Sequence, residues 1–472
     1  YSFGSTLSSC LDDLCPQTSR AIKPSKPQPW LKNDTLRELR SKLRAAERKW
    51  QKKQNQTDLK NYQLLLASFS ASLTAAKAEF YHKKISSLTD SRKLFATFKT
   101  LLNPPPPPQA TCLTAEALAS FFTGKVAAIS SQFTDATCSS PTSCSAARYP
   151  STEGVAFSSF APLTENETLA LLTRSRPTTC PLDPIPSDLL QTIAPAIISA
   201  ITHTINASLT SGVFPTAFKQ AQVTPLLKKP SLNPAQVDNY RPVSLLPFLS
   251  KTLERAALNQ VSGFLTQNDL LDQNQSGFKK GHSTETALLS VTEALKTARA
   301  AGQSSVLILL DLSAAFDTVN HDFLLTILSN MGISDNALSW FRSYLTGRSF
   351  RVSWQGRLSP AHSLSTGVPQ GSVLGPLLFS IYTTSLGRVI HSHGFSYHCF
   401  ADDTQLYLSF SPDDHSISAR ISQCLSDISA WMKEHHLQLN LSKTGHTSKT
   451  FYSTQLCHKP STLSLSLTDK DC

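Results

Sequence analysis

At 472 residues, 40% hydrophobic and only 16% charged, the chain is long enough to bury a large core and to divide into two or three units, which excludes a protein disordered throughout. Its formal charge of +11 and pI near 9.1 favour a polyanionic partner, nucleic acid first and an anionic membrane second, because lysines and arginines that neutralise phosphates release condensed counterions. The ten cysteines are scattered without a C-x-x-C pair, as reduced intracellular thiols would be, and no signal peptide or run of eighteen apolar residues argues for export or a membrane partner.

Residues 1–33 are rich in Ser, Pro and Lys without a sustained period and are expected to be a disordered tail. From Asn33 onward Leu36, Leu39, Leu43, Ala46 and Trp50 recur at alternating gaps of three and four, the mark of an amphipathic helix. Its other faces carry Arg37, Arg40, Lys42, Arg44, Arg48, Lys49, Lys52 and Lys53, which either solvate the helix or meet a polyanion. A second helix is expected around Tyr62 to Leu88, making residues 34–103 a helical, basic region. Five consecutive prolines, Pro104 to Pro108, are a stiff extended spacer, and residues 104–162 read as a Pro/Ser/Thr-rich linker with one short helix. Thr123-Gly124-Lys125 falls inside that helix and, with Ala119 in place of the earlier glycine, makes no phosphate loop.

Patterned sequence resumes at Leu163. Residues 163–207 are a helical lead-in, with its main helix at Leu189 to Leu209, and residues 208–444 form one compact unit. That unit has a short strand at Gln222 to Leu227, helices at Leu245 to Phe264 and Thr284 to Ala300, and a buried strand, Val306 to Leu310, ending on Asp311. A hairpin follows, with arms at Phe395 to Cys399 and Leu406 to Leu408 and Phe400-Ala401-Asp402-Asp403 at its tip. Elements in this order define an α+β class rather than an alternating βαβ array.

Asp311 at a strand end and Asp402 with Asp403 at a hairpin tip are ligands of the kind that two-metal phosphoryl transfer needs. One cation lowers the pKa of an attacking 3′-hydroxyl and the other neutralises the leaving pyrophosphate. Mg²⁺ takes one or two protein carboxylates and keeps several waters, so three aspartates suffice once a triphosphate adds its oxygens. Taken alone, an Asp pair at a turn is only a turn former. Phe316, five residues after Asp311, is placed to clash with a 2′-hydroxyl and so select deoxynucleotides, the alternative being a plain core residue. Gly367-Val368-Pro369-Gln370-Gly371-Ser372 is a loop whose two glycines admit close backbone approach ahead of a helix, which suits a template base, and Gln370 offers both donor and acceptor. Arg241, Lys279 and Lys280 are cations for a triphosphate, and Lys443 is a general acid for the leaving group; an exposed charge is the plainer account of each.

Taken in order, Asp238 to Ser244, Gln275 to Thr284, Asp311 to Asp317, Gly367 to Ser372, Phe400 to Asp403 and Leu439 to Thr444 resemble the motifs of the reverse transcriptase of a non-LTR (LINE-type) retrotransposon. Pro181-Leu182-Asp183-Pro184-Ile185-Pro186 is a further match, and the resemblance covers roughly residues 180–444. It implies a right-hand polymerase fold of fingers and palm, preceded by a helical, basic linker region. It implies copying of an RNA template into DNA from dNTPs on a DNA primer, with Asp311, Asp402 and Asp403 holding two Mg²⁺ ions (Mn²⁺ as the alternative). Phe316 becomes the sugar gate and Gln370 lies near template and nucleotide, in the loop that Gly367, Pro369, Gly371 and Ser372 shape. An intracellular ribonucleoprotein, cytoplasmic and nuclear, follows from the same likeness; the oligomeric state does not.

The departures from the family are specific. The chain opens on Tyr1 and its front section resembles only the linker behind the family's endonuclease, so a fragment is expected. Lys279 stands where the family has Arg, keeping the charge and losing the planar fork. Beyond Lys443-Thr444 the polar Gly445-His446-Thr447-Ser448-Lys449-Thr450 opens a degenerate end, residues 445–472, as in a shifted frame or a decayed copy, and most of the thumb is expected to be missing. The rival reading is a catalytically silent RNA-binding or scaffold remnant, which has no physical reason to keep the carboxylate set.

Overall fold

A computed structural model describes residues 2–15, 29–32, 34–88, 94–95, 97–98, 112–133 and 156–440. The proline run, the Ser/Thr-rich part of the linker, Lys443 and the stretch 445–472 lie outside the described residues. The chain forms two compact units, Leu14–Ala110 and the remainder, Tyr1–Asp13 with Thr111–Cys472.

The first element corrects the reading of residues 1–33 as a disordered tail. Ser2–Leu14 is a helix, α1, and its Leu11 packs against the main core. A short Ser-rich helix has little intrinsic stability, and tertiary contact of this kind is what stabilises it.

The smaller unit is a helical hairpin of α2 (Asp34–Lys53) and α3 (Gln56–Ser86). Gln54, at φ 46, reverses the chain, and the Asn55 side chain caps α3 by accepting from the Asp58 N–H at 2.7 Å. Trp50 stacks on Tyr62 with ring centroids 5.8 Å apart, and buried Asp58 meets Lys49 at 3.0 Å. The apolar seam of α2 thus faces α3, with Leu36 and Ala46 buried.

In the larger unit, α4 (Ala115–Ser131) corrects the linker assigned to residues 104–162. Its Leu118, Ala119 and Phe122 form a small core with Val223, Tyr240 and Val352, so the helix belongs to the folded body rather than to a spacer. Then come α5 (Glu165–Arg174), α6 (Ser187–Ser211), β1 (Gln220–Leu227), β2 (Tyr240–Leu245), α7 (Phe248–Gln267) and α8 (Thr284–Ala300). They are followed by β3 (Ser304–Leu310), β4 (Leu312–Ser313), α9 (His321–Asn330), α10 (Asp335–Leu345), β5 (Arg348–Trp354), β6 (Arg357–Leu358) and β7 (His362–Leu364). The described chain closes with α11 (Gly375–Thr383), α12 (Leu386–Ser392), β8 (Ser396–Phe400), β9 (Asp403–Phe410), α13 (Ile417–Glu434) and β10 (Gln438–Leu439).

One helix start differs from expectation. Leu245 was expected to open a helix, yet it ends β2, paired with Gln222, and α7 begins only at Phe248. Pro247 disfavours helical backbone in the residue before it and supplies no N–H of its own, so it stands just outside the first turn.

Three sheets result, and mixed helix and sheet make the class α+β. A five-stranded sheet runs β2-β1-β5-β6 with β7 also on β5; β1 pairs antiparallel with β2 and parallel with β5. A three-stranded antiparallel sheet runs β3-β9-β8, and a two-stranded one joins β10 to β4. A continuous apolar core underlies the two smaller sheets, from Phe160 and Leu172 through Trp340 and Tyr344 to Phe379, Tyr382 and Trp431, whereas the five-stranded sheet packs on the small core around Phe122. No described helix is long and apolar enough to cross a membrane.

Candidate active-site cleft

Strand register brings the distant acids together. β3 and β9 pair up to Leu310 opposite Thr404, so Asp311, just after the last paired residue of β3, and Asp403, just before Thr404, lie at the same end of the sheet. β8 and β9 pair down to Phe400 opposite Asp403, leaving Ala401 and Asp402 as a two-residue tip with Ala401 at φ 59. Opposed residues on antiparallel strands have Cα atoms about 4.5–5.5 Å apart, so all three carboxylates start from one end of one sheet. Asp402 is half-buried and Asp403 exposed.

Two amides brace this end. Asn440 Nδ2 donates to Asp311 Oδ2 at 2.7 Å, and the Asn440 N–H donates to the Asp311 carbonyl at 2.9 Å, where β10 returns to β4. Gln275 holds the tip from the other side: its Oε1 accepts from the Ala401 N–H at 2.9 Å and its Nε2 donates to the Ala401 carbonyl at 3.0 Å. Gln275 heads one sequence motif and Asn440 stands second in another, Leu439 to Thr444, which was the signal in the sequence for their roles.

A cleft of about 1160 Å³ lies alongside, lined by Asp402, Phe316, Asp317, Gln370, Arg241 and Lys125 among others. Phe316 is half-buried; its ring stacks on Phe379 at 4.6 Å and meets Phe278 edge-on at 6.3 Å, which holds it in one orientation at the cleft wall. Pro369, Gly371 and Ser372 line the cleft as well. The Ser372 hydroxyl turns inward, however, accepting from the Gly375 N–H at 3.0 Å at the start of α11. Lys279 and Lys280 are exposed and are not among the lining residues, because the turn carrying them runs out toward solvent.

The Gly367–Ser372 loop is docked on the turn after Asp311. The Gly367 and Val368 N–H groups donate to the Val319 and Phe316 carbonyls at 2.7 and 2.8 Å. A Cβ on Gly367 (φ +81) would come within 2.6 Å of the Asp317 carbonyl oxygen, and one on Gly371 (φ +108) within 2.6 Å of the Ser244 carbonyl oxygen. Across this junction Gln370 Nε2 donates to Asp317 Oδ2 at 3.1 Å and the Gln370 backbone carbonyl accepts from the Ser244 N–H at 2.7 Å, so the side-chain Oε1 is the acceptor left to the cleft. Burial pushes the Asp317 carboxyl up to about 7, against the opposing pull of Lys125 on α4 and of the Gln370 amide.

Glu254, fully buried on α7, steadies the same loop. One carboxylate oxygen accepts from the Val373 and Leu374 N–H groups at 2.7 and 3.1 Å and from the Tyr344 hydroxyl at 3.2 Å. An acid at the N-terminus of α11 matches the partial positive charge there. Lys125, Asp317 and Glu254 were not singled out from sequence as site residues. Lys125 lies 186 residues before Asp311, and its one local mark, Thr123-Gly124-Lys125, makes no phosphate loop.

Among the described residues no three His, Cys, Asp or Glu side chains are gathered closely enough to hold an ion unaided. The donor set still suits a hard divalent cation, which keeps water and phosphate oxygens among its ligands and asks for one or two carboxylates.

These features, carboxylates at a sheet end beside a large cleft with cationic walls, suit a site that takes a divalent cation and a polyanion together. Residues 227–459 match the family described as reverse transcriptase (RNA-dependent DNA polymerase). The probable RNA-directed DNA polymerase from transposon BS of Drosophila melanogaster is 31% identical over 249 residues, 51% of this chain and 27% of that protein. The RNA-directed DNA polymerase from mobile element jockey of Drosophila funebris is 34% identical over 230 residues, 48% of this chain and 24% of that protein. The putative 115 kDa protein in type-1 retrotransposable element R1DM of Drosophila melanogaster is 26% identical over 264 residues, 56% and 25%. Residues 227–459 thus match a reverse transcriptase domain, the similarity extends to proteins of non-LTR, LINE-type retrotransposons, and the chain spans about a quarter of the length of these curated relatives.

Proposed function

We propose that this chain performs RNA-directed DNA synthesis, extending the 3′-hydroxyl of a DNA primer with dNTPs on an RNA template. The observation that supports the reading is the β3–β9–β8 register, which brings the end of β3 before Asp311 and the hairpin tip of Asp402 and Asp403 to one end of one sheet, with Asp402 lining the cleft. In this reading the three-stranded sheet is the palm, and the five-stranded sheet with α4 is the fingers. Two bound divalent cations, Mg²⁺ or Mn²⁺, supply the charge that lowers the hydroxyl pKa and offsets the leaving pyrophosphate.

The protein's own residues do the rest. Asp311 and Asp402, with Asp403, present the carboxylate oxygens, and Asn440 holds the Asp311 carboxylate in one orientation. Arg241 on the cleft wall offers a planar fork to triphosphate oxygens. Phe316 closes the space next to the sugar's 2′ position. Gln370, held by Asp317, presents a fixed acceptor to the forming base pair, with Gly367, Pro369 and Gly371 letting the template strand approach the loop. Lys443 donates a proton to the departing pyrophosphate. The protein acts as part of a ribonucleoprotein in cytoplasm and nucleus.

Primer extension on an RNA template tests this. Asp402→Asn keeps shape and removes charge, and extension is expected to fall at least about 10²–10³-fold with RNA binding retained. Equal extension by the variant would refute the assignment.

A further inference from the structure

The helical hairpin holds most of the chain's charge. Residues 34–88 contain twelve lysines and arginines against five aspartates and glutamates, a net of +7 out of the +11 carried by all 472 residues. On α2 the cations are ordered. With 3.6 residues per turn, Arg37, Arg40, Arg44 and Arg48 fall within about 80° of one another, a stripe about 16 Å long beside the apolar seam. All four are exposed.

A merely solvated helix face alternates charge so that neighbours at i and i+4 attract. α2 does this elsewhere: Lys42 meets Glu38 at 2.7 Å and Arg37 meets Asp34 at 3.0 Å. Arg40, Arg44 and Arg48 instead stand at successive i, i+4 positions, where like charges repel and destabilise the helix. Among the described residues none of these three has a carboxylate partner; Arg48 Nε donates only to the Arg44 carbonyl, at 3.2 Å. A self-repelling ladder becomes favourable when a polyanion lies along it. A membrane surface fits less well, because a surface-lying helix must present its apolar face, and on α2 Leu36 and Ala46 are already buried.

We propose that the Arg40-Arg44-Arg48 stripe of α2 is a docking surface for the phosphodiester backbone of single-stranded RNA, separate from the polymerase cleft. The choice of RNA as the polyanion rests on the function proposed above; the charge argument does not.

The test uses the full chain and a labelled single-stranded RNA of about 40 nucleotides, with affinity measured across a salt series. Arg40→Glu/Arg44→Glu/Arg48→Glu keeps good helix formers at all three positions, and circular dichroism at 222 nm checks the helix. The slope of log K against log salt is expected to shrink by about 2, since each lost phosphate contact on a single strand is worth about 0.7, and affinity is expected to drop about tenfold or more. Arg40→Lys/Arg44→Lys/Arg48→Lys keeps the charge and is expected to retain the slope, which guards against a folding defect in the first variant. An unchanged slope in the glutamate variant overturns the proposal, and so does a loss confined to duplex DNA or to vesicles of anionic phospholipid. Extension of a short, preformed primer–template, measured in parallel, is expected to be unchanged. If the unsubstituted chain fails in that assay while the salt slopes behave as expected, the polymerase reading fails and the docking surface stands.

Discussion

At the scale of single residues, the wall next to Asp311 is the most informative place. Phe316 is pinned between Phe379 and Phe278, which holds its ring in one orientation, as the steric role proposed for it requires. Phe316→Ala is expected to raise incorporation of ribonucleotides relative to deoxynucleotides by about tenfold or more, read from kcat/KM for the two substrates, with about 1–3 kcal/mol of discrimination at stake. Unchanged discrimination would leave the ring as a core residue only. Asp317, one position on, makes a different prediction. Its carboxyl is raised to about 7 in the folded chain, whereas an unfolded chain ionises it near the ordinary value of 3.8. Between those values the unfolded state binds fewer protons, so the group costs stability progressively as pH rises toward 7 and by a constant amount above it. Asp317→Asn is therefore expected to match the unsubstituted protein in Tm near pH 4 and to exceed it by about 2–4 °C at pH 8, taking about 1 kcal/mol after screening of a partly exposed group. Thermal melts across that range check the sign. Neither Asp317 nor Lys125 was legible beforehand, because a carboxyl's surroundings come from segments far apart in the chain.

Among elements, α7 shows how helices position the site. Phe248, its first residue, follows Pro247, and the start has no cap of its own in sequence. Asp183, 65 residues upstream, takes that role, its Oδ1 accepting from the Phe248 N–H at 2.8 Å. Burial pushes this carboxyl up to about 6. Asp183→Ala is expected to destabilise the larger unit by about 1–2 kcal/mol in urea denaturation at pH 7, as loss of a capping acceptor does. The consequence reaches the cleft, because the same helix carries Glu254 to the Val373 and Leu374 N–H groups. Periodicity sufficed for many elements: Thr284–Ala300 has the bounds the pattern set, and the β3 strand and the acidic hairpin stand where alternation placed them. It failed where contact outweighed pattern, at α1 and at the start of α7; at α4 the helix was expected and only its place in the folded body was not.

For the whole molecule, the two units differ in what holds them together. The larger has a continuous core of fully buried aromatic and aliphatic side chains, whereas in the hairpin only Leu36, Ala46 and Asp58 are buried within α2 and α3. Little burial means low local stability. Amide hydrogen exchange is expected to show residues 34–88 exchanging at least about a hundredfold faster than α7 and β9, and equal protection would contradict this. The amino-acid order by itself determined the chemistry on offer: an apolar run that makes a strand end on Asp311, a tip that holds Asp402 and Asp403, and a helix crowded with arginine. Those are local properties, set by side-chain periodicity within about a dozen residues. Only the tertiary structure decided which groups meet, because the Leu310–Thr404 rung that ends beside the acids, the Asn440 and Gln275 braces and the pull of Lys125 on Asp317 each depend on long-range register and packing that no local pattern encodes.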